Sequence, residues 1–447
     1  MTFLFQKLCS RFRELSIILM VLFPLPYLQA NMESKTATLL SLEECVSIAL
    51  SNNPAFISSA YAVEESRLKT TEARSGFYPS VNLSAGADVL KSGKNELGGK
   101  EGAYSRYNTG ISAHYFLYQG GRKTAAYEAA ESVFRTVSYQ HEGGLQELIL
   151  NISQAYYRFL QSQHMEKAAG QALERAEYYL EFAKARFEAG VVSRSDILKA
   201  EVEKSNAELS LIRARNTRLF TRGSLNVLMG REAHSHLEVQ DNLENFELKG
   251  SLDYDVLLEQ ALLMRPEIKK TEAQLAAHES DIRIARSSLY PWVSADAGFN
   301  LSGLNSSGME SGWFAGLSLN FPIFTGFANQ ARVFQEKAAL RAMEKQMESL
   351  KQEISREVWN AYLDLKESEE LIDNSEIFLA NARENLAIAE EEYREGVGSM
   401  MEVIDAETAL VAAEENRIEA LAGFKIALAV VDRVAGTLGY DAARGDK

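Results

Sequence analysis

The sequence predicts a mainly α-helical protein with a membrane β-barrel portion, built as two tandem repeats of helix, strand, strand, long helix and return helix. Three observations predict it. Residues 121–190 contain no proline, are rich in alanine and charge, and at ~1.5 Å per residue would form a rod on the order of 100 Å long. Within that rod Leu173, Ala176, Leu180, Ala183 and Phe187 recur at alternating spacings of three and four, the seam of a coiled coil; adding 206 gives Leu379, Ala382, Leu386, Ala389 and Tyr393. Ahead of each rod lie two runs that alternate apolar and polar residues with the period of a strand.

The N-terminus carries Lys7, Arg11 and Arg13, then an apolar run from Ile17 to Leu28 and Gln29-Ala30-Asn31, so residues 1–30 read as a secretory signal peptide. Pro24, Pro26 and the shortness of the run speak against a spanning helix, and no later run approaches the ~20 apolar residues one requires. Cys9 precedes the apolar run and is not placed to carry a lipid. That leaves Cys45, inside a predicted helix, as a small buried hydrophobe with no disulfide partner. The formal charge is −15, near −17 without the leader's net +2, which argues against a nucleic-acid partner.

The first repeat occupies residues 31–230. Ser41 and Glu44 form a capping box for a helix that runs to Gly76, with a kink or break expected at Pro54, and Tyr78-Pro79 stops it. Val81, Leu83, Ala85, Ala87 and Val89 then alternate with polar residues, predicting a strand at about 81–90. A loop follows, and Tyr107, Ile111, Ala113, Tyr115 and Leu117 predict a second strand at about 106–117. Strands of ~9 to 11 residues suffice to cross a bilayer at a tilt. The helical hairpin spans 121–229, turning at Gly190; Gly143-Gly144 inside its first arm should cost about 2 kcal/mol of propensity, so a kink or irregular turn is expected there.

A linker, 231–249, leads to the second repeat, 250–437, and a tail, 438–447. Ala261-Leu262 and Arg265-Pro266 match Ala49-Leu50 and Asn53-Pro54 at an offset of 212, and Tyr290-Pro291 matches Tyr78-Pro79. Strands are expected at about 292–302 and 312–322, and a second hairpin at 327–436.

Four strands cannot close a membrane barrel, and an open edge in lipid leaves backbone groups unsatisfied at several kcal/mol each. The barrel must be shared between chains: two would give eight strands and a filled lumen, three would give twelve and room for solute. Rods longer than the bilayer project away from it and close laterally into a coaxial tube.

This paired order, with x-Pro before each first strand and a glycine turn at each hairpin tip, resembles the TolC-type outer-membrane efflux proteins over almost all of the mature chain. The resemblance implies a homotrimer in the lipid of the outer membrane and a periplasmic α-helical tunnel that meets a periplasmic adaptor and an inner-membrane pump. Such a duct is a passive exit for a tripartite efflux or type I secretion system. An extracytoplasmic coiled-coil adaptor or scaffold is the alternative, but adaptors usually carry one hairpin between compact β-rich domains, and this chain has two.

The hairpin tips should hold the gate. Asp196 and Glu402 each stand three residues after a serine, Ser193 and Ser399, so each completes a capping box; Asp405, one turn beyond Glu402 on the same face, is not explained by a cap. The resemblance implies that Glu402 and Asp405 ring the periplasmic entrance and that Asp196 is bonded to Tyr393 and to an arginine on the second tip. Gly398 occupies that arginine's position, which leaves Arg194 or Arg394 to replace it. Adaptor docking falls on Gly190, Val191, Ser193, Arg194, Gly396, Gly398 and Ser399. His234 and His236 lack further ligands at metal-site spacing, and Gly93 to Lys100 misses the phosphate-loop pattern. No cofactor and no catalytic constellation are expected.

Overall fold

The computed structural model describes residues 39–92, 102–245, 252–304 and 308–438. The signal sequence, the segment 93–101, linker residues 246–251, loop residues 305–307 and the tail beyond Leu438 lie outside the described residues. In chain order the elements are α1 (Leu42–Asn52), α2 (Pro54–Ser75), β1 (Ser80–Ser92), β2 (Gly102–Tyr118), α3 (Arg122–Glu188) and α4 (Arg194–Leu228). The same order then recurs as α5 (Tyr254–Met264), α6 (Pro266–Ser287), β3 (Trp292–Leu304), β4 (Glu310–Asn320), α7 (Ala328–Glu395) and α8 (Met400–Val434).

Local chemistry sets the helix ends. Ser41 N–H donates to the Glu44 carboxylate at 2.8 Å while Ser41 Oγ accepts from Glu44 N–H at 3.2 Å, which starts α1. Pro54 divides the first helix into two: Asn53 is extended, its carboxamide oxygen accepts from Ala55 and Phe56 N–H at 3.0 and 3.1 Å, and proline takes the first position of α2. In the second copy Arg265 stands at that break, buried, with its guanidinium 2.6 Å from Glu357.

The strands form one antiparallel sheet in the order β1-β2-β3-β4, so the β2–β3 pairing joins the two copies. Register follows the alternation. Leu83 lies opposite Ile111, Ile111 opposite Phe299 and Phe299 opposite Trp313, giving one apolar face across all four strands. On the other face Ser80, His114 and Asp296 align, and His114 Nδ1 lies 2.6 Å from Asp296 Oδ1. The apolar face is bare: Leu83 is 80 % exposed and Trp313 79 %. Among the described residues no helix is long and apolar enough to cross a membrane.

The long helices α3 and α7 contain 67 and 68 residues, whereas α4 and α8 contain 35 each. Return helices of that length cover only the tip halves of the rods, and α2 and α6 pack along the halves nearer the sheet. Helical structure in α3 runs unbroken through Gly143-Gly144, without the irregular turn that propensity suggests. Pro266 at the head of α6 packs there: a Cβ on Gly143 would lie 3.8 Å from its Cβ.

Two cores follow from this layering. Tyr156, Phe159 and Leu160 of α3 bury against Leu225 of α4, Leu421 and Phe424 of α8 and Cys45 of α1. Burial pushes the Cys45 thiol up to about 12, so it stays a protonated, packed group. Tyr156 donates to Gln240 O at 2.7 Å, beside a parallel bridge between Leu40 and Val239 that fastens the linker to the start of the described chain. The second core runs toward the tips and unites Leu180 and Ala183 with Leu386, Ala389, Tyr393, Met400 and Val403. All five predicted seam residues of α7 are buried, but Phe187, the counterpart of Tyr393, is 43 % exposed. The repeat's symmetry ends there, because Phe182 packs edge-on against the Tyr393 ring at 5.7 Å and covers only the second tip.

Candidate functional site

Both rods end in a glycine with positive φ, the conformation that lets the last carbonyls find donors. At the first tip Gly190 has φ +75°, and Val191 N–H reaches back to Arg186 O at 3.1 Å. Asp196 then accepts from the Ser193 N–H at 3.3 Å and from the Ser193 hydroxyl at 3.4 Å, and lies 3.7 Å from Lys199 Nζ. At the second tip Gly396 has φ +80°, and the N–H groups of Val397 and Gly398 both donate to Glu392 O at 3.0 and 2.9 Å. Ser399 caps α8, its N–H donating to the Glu402 carboxylate and its hydroxyl accepting from Glu402 N–H at 3.4 Å. Those bonds hold the Glu402 carboxyl below its usual range, the Ser399 N–H contributing most.

Glu402 and Asp405 are both exposed, one turn apart on α8, and Gly190, Val191, Ser193, Arg194, Gly396 and Ser399 are exposed in the two turns. Gly398 is half-buried, and its position leaves little room: a Cβ there would lie 3.0 Å from Glu392 Cβ and 3.1 Å from Tyr393 N. Any side chain would press on the last turn of α7.

Tyr393 is 3 % exposed, and its hydroxyl is buried with no hydrogen-bond partner among the described residues. Burial raises its pKa, and the nearby Asp196 charge adds to this. Asp196 is thus close to Tyr393 but spends its hydrogen bonds on its own helix cap. The two expected substitutes for the missing arginine do not cross the tips either: Arg394 pairs with Glu391 at 2.5 Å on its own helix, and Arg194 is exposed.

Arg186 makes that crossing. Its guanidinium donates to the main-chain carbonyls of Tyr393 and, at 3.3 Å, of Arg394, and lies 4.8 Å from the centre of the Tyr393 ring. Sequence reasoning passed over it, although a signal was present: Arg186 follows Phe182 by one helical turn, and the matching residue of the second copy is Glu392. Farther from the tips, Tyr179 donates to Glu390, and Arg175 holds Glu407 at 2.6 Å and Glu414 at 3.3 Å. Glu407 is 2 % exposed, and burial pushes its carboxyl above the usual range despite the pairing with Arg175.

A family model described as outer membrane efflux protein matches residues 45–231 and 257–437. Protein CyaE of Bordetella pertussis is 24% identical over 417 residues, covering 91% of this chain and 86% of that protein. Outer membrane protein TolC of Vibrio cholerae is 24% identical over 412 residues, covering 89% of this chain and 91% of that one. The solved structure of the outer-membrane channel OprN superposes with a TM-score of 0.79 at 22% identity, over 89% of this chain and 90% of that one. The MtrE outer membrane channel of Neisseria gonorrhoeae, solved in an open state, gives a TM-score of 0.76 at 23% identity, with 89% of each chain covered. These matches support a channel and lend nothing to the adaptor or scaffold alternative. Matched by one family model in both halves, the chain belongs to the outer membrane efflux protein family and is an outer-membrane efflux channel with a periplasmic helical tunnel, a passive conduit and not an enzyme.

Proposed function

We propose that three copies of this chain close a twelve-stranded barrel in the outer membrane above a continuous helical tunnel. The duct is the exit of a tripartite efflux or type I secretion system, fed by a periplasmic adaptor and driven by an inner-membrane pump. The observation that carries this reading is the sheet: it has one apolar face, and β1 and β4 each have a single neighbour among the described strands. In hydrocarbon each unpaired backbone group costs several kcal/mol, so β4 of one copy pairs with β1 of the next. The polar face, with His114 and Asp296, then lines the lumen.

The helices support the same closure. Leu198, Val202, Leu209, Ile212 and Val227 are exposed on one face of α4, and Trp359, Leu363, Ile377 and Ile388 on one face of α7. Contiguous exposed apolar stripes of this kind mark protein interfaces. At the tunnel's far end, Glu402 and Asp405 from three copies gather six carboxylates at the entrance, beside Tyr393 and Asp196, and favour cations. Gly190, Val191, Ser193 and Arg194, with Gly396, Gly398 and Ser399, form the turns that the adaptor docks against.

Cargo identity lies outside the duct. The cation efflux system protein CusC of Escherichia coli and the toluene efflux pump protein TtgF of Pseudomonas putida are each 25% identical to this chain, and the pyoverdine export protein OpmQ of Pseudomonas aeruginosa 23%. Such unlike cargoes at similar distances support selection by pump and adaptor.

Single-channel recording in planar bilayers under a potassium chloride gradient tests the proposal. The mature protein should give small, cation-selective currents, and Glu402→Gln/Asp405→Asn should lower that selectivity. A detergent-independent monomer that gives no current would overturn the duct, and unchanged selectivity would remove the constriction from the second tip.

A further inference from the structure

Building on the reading of the tips as the gate, we propose that Arg186 is the latch that keeps the entrance closed, gripping the end of α7 through its main chain and the face of Tyr393. Three other tip cations are engaged locally, Lys184 with Glu181, Lys199 with Asp196 and Arg394 with Glu391, each three residues away on its own helix, and Arg194 is exposed. Arg186 reaches from the first hairpin to the second.

The chemistry of the contact suits a latch. The last carbonyls of a helix lack intrahelical donors and carry the negative end of its dipole, and a guanidinium offers several N–H groups in one plane. Arg186 Nη1 donates to both Tyr393 O and Arg394 O, and the guanidinium lies over the Tyr393 ring at 4.8 Å and the Phe182 ring at 5.8 Å. The buried Tyr393 hydroxyl has no partner among the described residues, so the ring and the main chain carry the link. Gly398 completes the arrangement: the crowding at its Cβ position keeps a side chain away from the turn that presents these carbonyls. Tyr393 O also accepts from the Gly396 N–H at 3.1 Å, so a partner that opens the tips has chiefly to replace the Arg186 donor at Arg394 O or leave that carbonyl to water.

Conductance of the trimeric protein in planar bilayers tests the latch. Arg186→Ala should raise single-channel conductance several-fold, Arg186→Lys should fall between it and wild type, and Lys184→Ala should match wild type. Tyr393→Phe should change conductance far less than Arg186→Ala, because the hydroxyl has no partner among the described residues. Millimolar guanidinium added on the tip side should lower the current of Arg186→Ala toward the wild-type level and leave wild type unchanged, a response that a misfolded tip would not give. The latch is overturned if Arg186→Ala conducts like wild type, if Tyr393→Phe opens the channel as far, or if guanidinium blocks both proteins equally. If Arg186→Ala has no effect while Glu402→Gln/Asp405→Asn still alters selectivity, the gate stays at the tips and only the latch falls. Absence of current in every variant would remove the duct reading itself.

Discussion

Glu402 and Glu407 sit little more than a helical turn apart on α8, yet their surroundings pull their carboxyl groups in opposite directions. Glu402 is exposed and receives hydrogen bonds from Ser399, which favour the charged form; its folded pKa is depressed from 4.5. Its contribution to stability is therefore present at neutral pH and lost as pH falls through the depressed value. Glu407 is buried, and desolvation outweighs the Arg175 pairing, so its folded pKa is raised from 4.5. Its contribution is fullest below the unfolded value and is lost as pH rises through the raised one. Thermal midpoints measured from acid to neutral pH should show Glu402→Gln losing ground to wild type as pH rises and Glu407→Gln gaining ground over the same span; parallel profiles would refute the assignment. Only half of this was legible in the sequence. A serine three residues before an acid announces a cap, since both partners lie in one turn. Glu407 matches Glu201 in the repeat, but Glu201 is exposed, and spacing carries no record of which copy is covered. Arg186 was hidden for a related reason: its acceptors are carbonyls some two hundred positions away, and every residue has a carbonyl.

At the scale of elements, proline and alternation located the breaks and strands, because both act within a few residues. Asn53-Pro54 separates two helices, and the apolar sets of all four strands fall on one face of the sheet. The glycine pair in α3 makes no irregular turn, because the cost of two glycines is small beside the packing that a 67-residue helix makes along its length. That difference gives a prediction. Gly143→Ala and Gly144→Ala should each stabilise by about 0.8–1 kcal/mol, since neither glycine has a positive φ; an added Cβ meets Pro266 at an ordinary 3.8 Å in the first case and open space in the second. Gly230→Ala should do the reverse and cost more than about 2 kcal/mol, because Gly230 has φ +70° and its Cβ would fall 2.4 Å from Asn52 O. Thermal unfolding of the three variants in detergent checks the signs; a glycine pair that is needed for bending would instead make the two α3 variants less stable.

For the whole molecule, barrel and tunnel are two expressions of one incomplete chain. A sheet with β1 and β4 at its margins cannot face lipid alone, and helices with bare apolar stripes cannot stay apart in water. In the proposed assembly both needs are met by the same partner, a neighbouring copy, so disrupting one closure should undo the other although they lie at opposite ends of α3 and α7. Leu209→Glu/Ile212→Glu places two charges on the exposed stripe of α4, far along the chain from any strand. With each carboxylate facing an apolar neighbour, assembly would require burying unpaired charge, a cost of several kcal/mol per group. Light scattering after size-exclusion chromatography in detergent should give three times the chain mass for wild type and the single-chain mass for the double variant, and planar bilayers should show loss of its current. A monomeric wild type would refute the shared barrel; a trimeric, conducting double variant would show that the α4 stripe faces something other than a second copy.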